Sequence, residues 1–415
     1  MTPAAPAGNA GEWSRGTAAV DYEARVDMGA LRAGRLERAR AAMKADGLDA
    51  VLVWKDENVR YLTSLRPQLI AGKSGLLNGA LLPLESGPVL FVSGGDRDRA
   101  EATMPWVAEF HAIPILEEAG LIEHFVSEIL PDVLARRGLA RARIGLDLVS
   151  KRLADALAER NASVRWVDGD AAMQAARRIK SGEELALIEE ATALAEAVTA
   201  AALEHVRPGV RECEVAGEAL RTLHRLGGEY AHVTTPFVAS GERMAPPTRL
   251  ATDKLIREGD LVFVDIGAMV NGYFGDIGRT VVCGASSPDQ RRVYRAVHDA
   301  LHAGIAAMRP GATNLEVART IRARAQSHGL ERHFLSLFIG HGIGCGSNEP
   351  PYIGESFPGA AAVTLEPGMV FAVEPLIWLP GVRGGGGVRL EDMVAITDGG
   401  ARCISRSPYA EALLA

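Results

Sequence analysis

Two acids flank an Asn-Gly pair in VDIGAMVNGYFGDIG, residues 264 to 278, a stretch otherwise apolar enough to be buried. LVFVDIG and YFGDIGRTVVCG are both β-prone, and Asn271-Gly272 between them predicts a hairpin with a type I′ turn. With those two residues as the turn, Asp276 faces Gly267, two positions from Asp265, so both carboxylates leave the same face. Diagonal neighbours of this kind lie roughly 7–8 Å apart at their backbones, close enough to converge on a shared ion. Buried carboxylates without a partner cost several kcal/mol each, and a cation offsets that for both at once.

Three more donors lie downstream. His341 stands between glycines in GHGIG, where a tight backbone turn is expected. Glu374 ends the apolar strand of GMVFAVEPLIW, just before the strand-ending Pro375. Glu391 belongs to the strand expected in GGGGVRLEDMVAIT, with Arg389 two positions earlier on the same face. A lone histidine is more often structural, and a glutamate beside Asp392 more often solvated. Together, four carboxylates and one imidazole suit a pair of hard or borderline divalent ions, Mn, Co, Fe or Zn, rather than a thiolate zinc site.

Positioning such residues takes a large frame. The 415 residues exceed the roughly 250–300 at which single cores stop growing, so two domains are expected, and an apolar share of 47% can fill both. Residues 1–20, rich in Ala, Gly and Pro, read as a loose tail. Over residues 21–172 predicted strands (DAVLVW, GALLPL, PVLFVSG, ARIGLDLV, SVRWVDG) alternate with predicted helices, which argues an α/β domain. From residue 173 to 415 the texture changes to long charged helices and then to β-rich sequence with one helical pair between about 288 and 328, an α+β domain.

Composition narrows the partners. A net charge of −7 without a run of basic residues argues against nucleic acid. Four scattered cysteines, Cys213, Cys283, Cys345 and Cys403, lack a C-x-x-C spacing and fit a reduced, cytoplasmic setting. Neither a signal-peptide pattern nor an apolar run of about 18 residues occurs, so no membrane association is expected.

The order Asp265, Asp276, His341, Glu374, Glu391, in the local text VDIGAMVNGYFGDIGRT, IGHGIG, FAVEP and GVRLED, resembles the five-ligand signature of the pita-bread metallopeptidases: methionine aminopeptidase, aminopeptidase P and prolidase, with creatinase as a non-peptidase relative. Residues 31 to 65 are similar to the start of the creatinase-like N-terminal domain. The resemblance implies an α+β pita-bread catalytic domain preceded by an α/β creatinase-like domain, and a homodimer. It also implies that Asp265 binds one ion, that Asp276 and Glu391 bridge two, and that His341 and Glu374 complete the set, with Glu374 as general base. Two such ions would bring the pKa of water between them toward about 7. Arg389 would hold a carboxylate in place or meet substrate.

Two positions depart from that family. Asn348 in GHGIGCGSNEPP stands where a histidine is usual, and Thr248 in SGERMAPPTRL follows a proline where another is usual. Asparagine and threonine can donate hydrogen bonds but hold no proton near pH 7. Three readings follow: a hydrolase of small amides, most simply an Xaa-Pro aminopeptidase or dipeptidase; a relative acting on a small metabolite, as creatinase, ectoine hydrolase or a dimethylsulfoniopropionate lyase do; or a binding module, against which the intact ligand set argues. His232, Tyr230 and Tyr352 are candidates to line the substrate pocket, and Arg60 or Arg66 to reach a neighbouring subunit's site as a clamp for a substrate carboxylate.

Overall fold

The structure is a computed structural model that describes residues 25–67, 76–355 and 361–415; the expected N-terminal tail lies outside the described residues. Helix α1 (Met28–Ala45) starts at Asp27, whose carboxylate accepts from the Ala30 N–H and so supplies a partner that the first turn lacks. It is followed by β1 (Ala50–Val53), α2 (Asp56–Thr63), β2 (Gly79–Pro83), β3 (Val89–Ser93), α3 (Arg97–Thr103) and β4 (Glu109–Ile113). Next, α4 (Ala119–His124) runs through a π turn into α5 (Leu130–Arg136), and β5 (Arg143–Leu146), α6 (Lys151–Arg160), β6 (Arg165–Asp168) and α7 (Asp170–Arg178) complete the alternation. These strands form one mixed sheet ordered β4-β3-β2-β1-β5-β6. One face buries Trp54, Phe91 and Phe125. The other lies under α1 and α7. The change of texture expected at residue 173 falls inside α7, which packs along α1.

The second half begins with α8 (Gly182–Glu204), fixed at its start by a capping box between Ser181 and Glu184. Then come α9 (Glu212–Arg225), β7 (Phe237–Ser240), β8 (Leu261–Val270), β9 (Tyr273–Val282), α10 (Pro288–Ala307) and α11 (Asn314–Ser327). The rest is β10 (Gly340–Gly342), β11 (Glu349–Ile353), β12 (Val370–Val373), β13 (Leu376–Trp378), β14 (Gly387–Arg389), β15 (Asp392–Thr397), β16 (Gly400–Cys403) and α12 (Glu411–Leu414). Strands group as β7-β8-β9, β11-β10-β12-β15-β16 and β13-β14. Helix α8 presses on the β8-β9 hairpin so closely that a Cβ on Gly275 would stand 2.3 Å from the Thr192 nitrogen. Helices α10 and α11 share a second core with β12, β14 and β15.

Charged residues join the halves. Arg35 donates to the Tyr273 hydroxyl at 2.8 Å, which donates to Glu184 at 2.7 Å. Arg60 grips Glu229 with two bonds, 2.6 and 2.9 Å, while the Gly272 N–H of the hairpin turn donates to the same carboxylate at 3.1 Å. Arg66 approaches Glu229 at 3.5 Å. The suggested role of Arg60 or Arg66 as a clamp reaching another subunit therefore meets a competing partner within the same chain. Glu229→Ala leaves Arg60 buried and unpaired, and a loss of about 3–5 kcal/mol in urea unfolding is expected. An unchanged midpoint would show that Arg60 finds water instead.

Candidate metal centre

The hairpin has the predicted register. Asp265 pairs with Gly278 and Gly267 with Asp276, without a bulge, about a turn in which Asn271 (φ 45°) and Gly272 (φ 83°) take the left-handed conformation. Both acids are buried on one face, 3% exposed each.

His341 lies within strand β10, between β11 and β12, and not on a turn. Its flanking glycines serve close packing instead: a Cβ on Gly340 would be 2.7 Å from the Ala372 carbonyl, and one on Gly342 2.8 Å from the Glu349 carbonyl. Glu374 follows β12 directly, its N–H bonded to the Ile339 carbonyl at 3.0 Å. Glu391 departs from expectation too. Rather than lying inside a strand, it sits in the break between β14 and β15, which belong to different sheets, and its N–H bonds the Gly278 carbonyl at 3.0 Å. A Cβ at Gly278 would crowd the Glu391 carboxylate at 2.9 Å. Behind this break Asp392 takes Arg279 and Ser405, each at 2.8 Å, so the chain is pinned just after Glu391.

The side chains converge. Three sets of ligand atoms each lie within 4.8 Å of one another: Asp265, Glu374 and Glu391; Asp276, His341 and Glu391; and His232, Asp265 and Asp276, so each of Asp265, Asp276 and Glu391 belongs to two sets. His341 Nδ1 stands 3.0 Å from the Gly342 carbonyl. A carbonyl only accepts, so Nδ1 carries the proton and Nε2 presents a lone pair to the carboxylates, 3.5 Å from Glu374 Oε1. Arg389 is buried here, 3.1 Å from Asp265 Oδ2 and 2.8 Å from Glu374 Oε2.

One guanidinium against four carboxylates leaves an excess of negative charge. Burial first, then the neighbouring carboxylates, push Asp276 and Glu391 well above the ordinary range, and burial raises Glu374. Burial also lowers His341 to about 4, so the imidazole is neutral at pH 7, as a ligand must be. Asp276 Oδ1 and Glu391 Oε2 are buried without a hydrogen-bond partner. Orphaned carboxylate oxygens, a neutral imidazole with its lone pair turned inward and uncompensated negative charge all fit a divalent cation.

The other expected site residues are scattered. Asn348 is exposed, its amide oxygen taking the Ser347 hydroxyl at 3.1 Å, while the adjacent Glu349 is buried against Arg177 at 2.9 Å. Thr248 lies half-buried in the loop after β7, its N–H on the Arg243 carbonyl at 2.9 Å. Tyr352 approaches Phe338 at 5.6 Å, and Phe338 stacks on His341 at 5.5 Å. Tyr230 packs edge-on to Phe274 at 5.9 Å. His232 is drawn into the centre, 3.9 Å from Asp265 and 3.8 Å from Asp276. Sequence reasoning missed the rim: Phe237, with the Arg249 guanidinium 5.5 Å above its ring, and Phe338. Phe237 pairs with Asp265 across β7-β8, a register no local signal announces.

A metal-dependent hydrolase with a creatinase-like first domain and a pita-bread second domain is what this fold and site define. Residues 186–398 match metallopeptidase family M24, and residues 35–179 match the Creatinase/Prolidase N-terminal domain. The chain belongs to family M24. It is 32% identical to the Bacillus subtilis peptidase YqhT over 90% of this chain and 98% of that one. It is 30% identical to the Xaa-Pro dipeptidase of Pyrococcus furiosus, again over 90% of this chain and 98% of the relative. The prolidase structure from Pyrococcus horikoshii superposes with a TM-score of 0.75 at 27% identity, covering 90% of this chain and 99% of that one.

Proposed function

We propose that the protein is an Xaa-Pro dipeptidase working with two divalent ions, Mn, Co, Fe or Zn, held by Asp265, Asp276, His341, Glu374 and Glu391. The observation that carries this reading is the convergence of those five buried side chains, with both orphan oxygens and the His341 lone pair turned to one place. The substrate class follows from the two dipeptidases to which the chain is similar along nearly its whole length. Thr248 is proposed as a substrate contact, with Arg389 fixing the carboxylates nearest the substrate; Asn348, expected in that role from its place in the sequence, is exposed and is not proposed for it. A cytoplasmic homodimer is proposed as well, supported by four free cysteines and by the resemblance of the first domain. Among the described residues no helix is long and apolar enough to cross a membrane.

Divalent ions bound here supply charge that polarises a carbonyl and acidifies water. The chain supplies the rest. Glu374, raised by burial, accepts the proton of the attacking water and returns it to the leaving amine. Arg389 at 2.8 Å keeps one of its oxygens fixed, leaving the other for that proton. Burial of all five side chains keeps bulk water from screening these charges.

Protein stripped with a chelator and reloaded with Mn²⁺ or Co²⁺ is expected to release proline from Xaa-Pro dipeptides, and stripped protein to release none. Metal-loaded protein inert across a panel of such dipeptides would overturn the dipeptide reading. Asn348→His is expected to change turnover less than threefold, because position 348 points to solvent. A gain of about tenfold or more would place it at the reacting centre instead.

A further inference from the structure

Two imidazoles enter the centre, and their backbone partners fix them in opposite tautomers. His341 offers its Nδ1 proton to a carbonyl and keeps an Nε2 lone pair. His232 does the reverse. Its Nδ1 takes a hydrogen bond from the Gly267 backbone N–H, which can only donate. The proton of the neutral ring therefore sits on Nε2, and that nitrogen has no lone pair for a metal.

The ring is seated firmly. The His232 N–H returns a bond to the Gly267 carbonyl at 3.2 Å, so backbone and ring grip the same residue. Gly267 stands opposite Asp276 in the hairpin. Only glycine leaves room there, since a Cβ would lie 2.8 Å from His232 Nδ1. Phe237 closes the far side edge-on at 5.6 Å. The side chain is 7% exposed, with Nε2 3.9 Å from Asp265 Oδ1, beyond hydrogen-bond reach. Among the described residues no acceptor lies within hydrogen-bond distance of this donor. A largely buried ring whose N–H is turned toward carboxylates, yet bonded to none, leaves that donor open to a ligand oxygen.

We propose that His232 is the hydrogen-bond donor to the carbonyl oxygen of the scissile amide, through Nε2–H, as negative charge develops there. It is not a metal ligand. His232 transfers no proton: it holds the carbonyl oxygen while the water oxygen bonds to the carbonyl carbon and the C=O π pair moves onto that oxygen, and the ring keeps its tautomer when the pair returns and the C–N bond breaks to release the amine. This supplies from the loop before β7 what neither exposed Asn348 nor Thr248 supplies as an imidazole. The inference rests on the hydrolase reading of the centre and adds a residue to its machinery.

The test compares wild type with His232→Ala, His232→Gln and Gly267→Ala, all metal-loaded. His232→Ala is expected to keep the wild-type metal content by native mass spectrometry and to lose about 10²–10³ in kcat, with KM little changed. His232→Gln, which retains an N–H donor, recovers part of that loss, and Gly267→Ala, which displaces the ring, resembles His232→Ala. Two readouts stand apart from peptide turnover. In metal-free protein the ring ¹⁵N resonances of His232 show a protonated Nε2, and acetohydroxamate binds metal-loaded His232→Ala about tenfold or more weakly than wild type by calorimetry. A metal content that drops in both His232 variants makes the residue a ligand and overturns the proposal, as does a protonated Nδ1 or unchanged acetohydroxamate affinity. Failure of wild type to cleave any Xaa-Pro dipeptide would strike the substrate reading alone.

Discussion

Asp276→Asn is expected to abolish proline release and to lower the bound metal below the wild-type content after dialysis. The substitution keeps volume and hydrogen-bonding shape, so lost charge and lost ligation are isolated from packing. Asp276 faces Gly267 in an uninterrupted register, and its Oδ1 is buried with no protein partner. In the metal-free protein the removal is favourable: the carboxylate is destabilised by burial and by Asp265 and Glu374, and an amide carries no such charge. Stability of the stripped variant is thus expected to equal or exceed that of stripped wild type, while metal no longer adds to it. That combination, more stable empty and inactive loaded, separates a ligand from a folding determinant. Metal content is read by elemental mass spectrometry and turnover by proline release. A variant with wild-type metal and wild-type turnover would remove Asp276 from the site.

The two acids of the hairpin were legible because everything that places them is local. The Asn-Gly turn fixes the register, the register fixes the face, and ten paired positions carry it without a slip. Glu374 was legible for a similar reason, at the end of an apolar strand before proline. Glu391 was only half legible. Its sequence reads as one strand, yet the chain changes sheets there, and Arg279 and Ser405, which pin Asp392, come from distant segments. The glycines around His341 suggested a turn where close packing of three strands was the actual requirement. Strand β4 escaped notice because it is a half-exposed edge strand, with little apolar alternation to announce it. The tautomer of His232 was out of reach, since it depends on one backbone N–H across a loop whose course no periodicity records.

The same buried charges make the metal-free protein pH-sensitive, with a sign that can be worked out. Asp276, Glu374 and Glu391 have raised values in the fold, so the folded state holds protons that the unfolded chain, titrating near the ordinary 3.8 and 4.5, has released. Stability from these groups is complete below those ordinary values and falls as pH rises through the folded ones, by up to about 1.4 kcal/mol per pH unit for each proton still held. His341 acts oppositely. Its value drops from 6.5 to about 4, so the unfolded chain binds the extra proton between those limits and stability rises with pH there. His232 is lowered by burial and adds in the same direction. Both imidazole contributions end near 6.5, where the unfolded histidines lose their protons. Above that, only the carboxyls remain. Stripped protein is therefore expected to lose stability as pH rises above about 6.5, through the range in which the folded carboxyls release their protons, while loaded protein, its carboxylates neutralised by cations, is not. The gap in Tm between chelator-treated and metal-loaded samples should widen over that interval, beyond what ligand concentration alone gives. Scanning calorimetry at fixed metal activity reads it directly. A gap that narrows with pH would mean that the carboxylates are already neutralised within the chain, and that the excess charge on which the metal centre rests is absent.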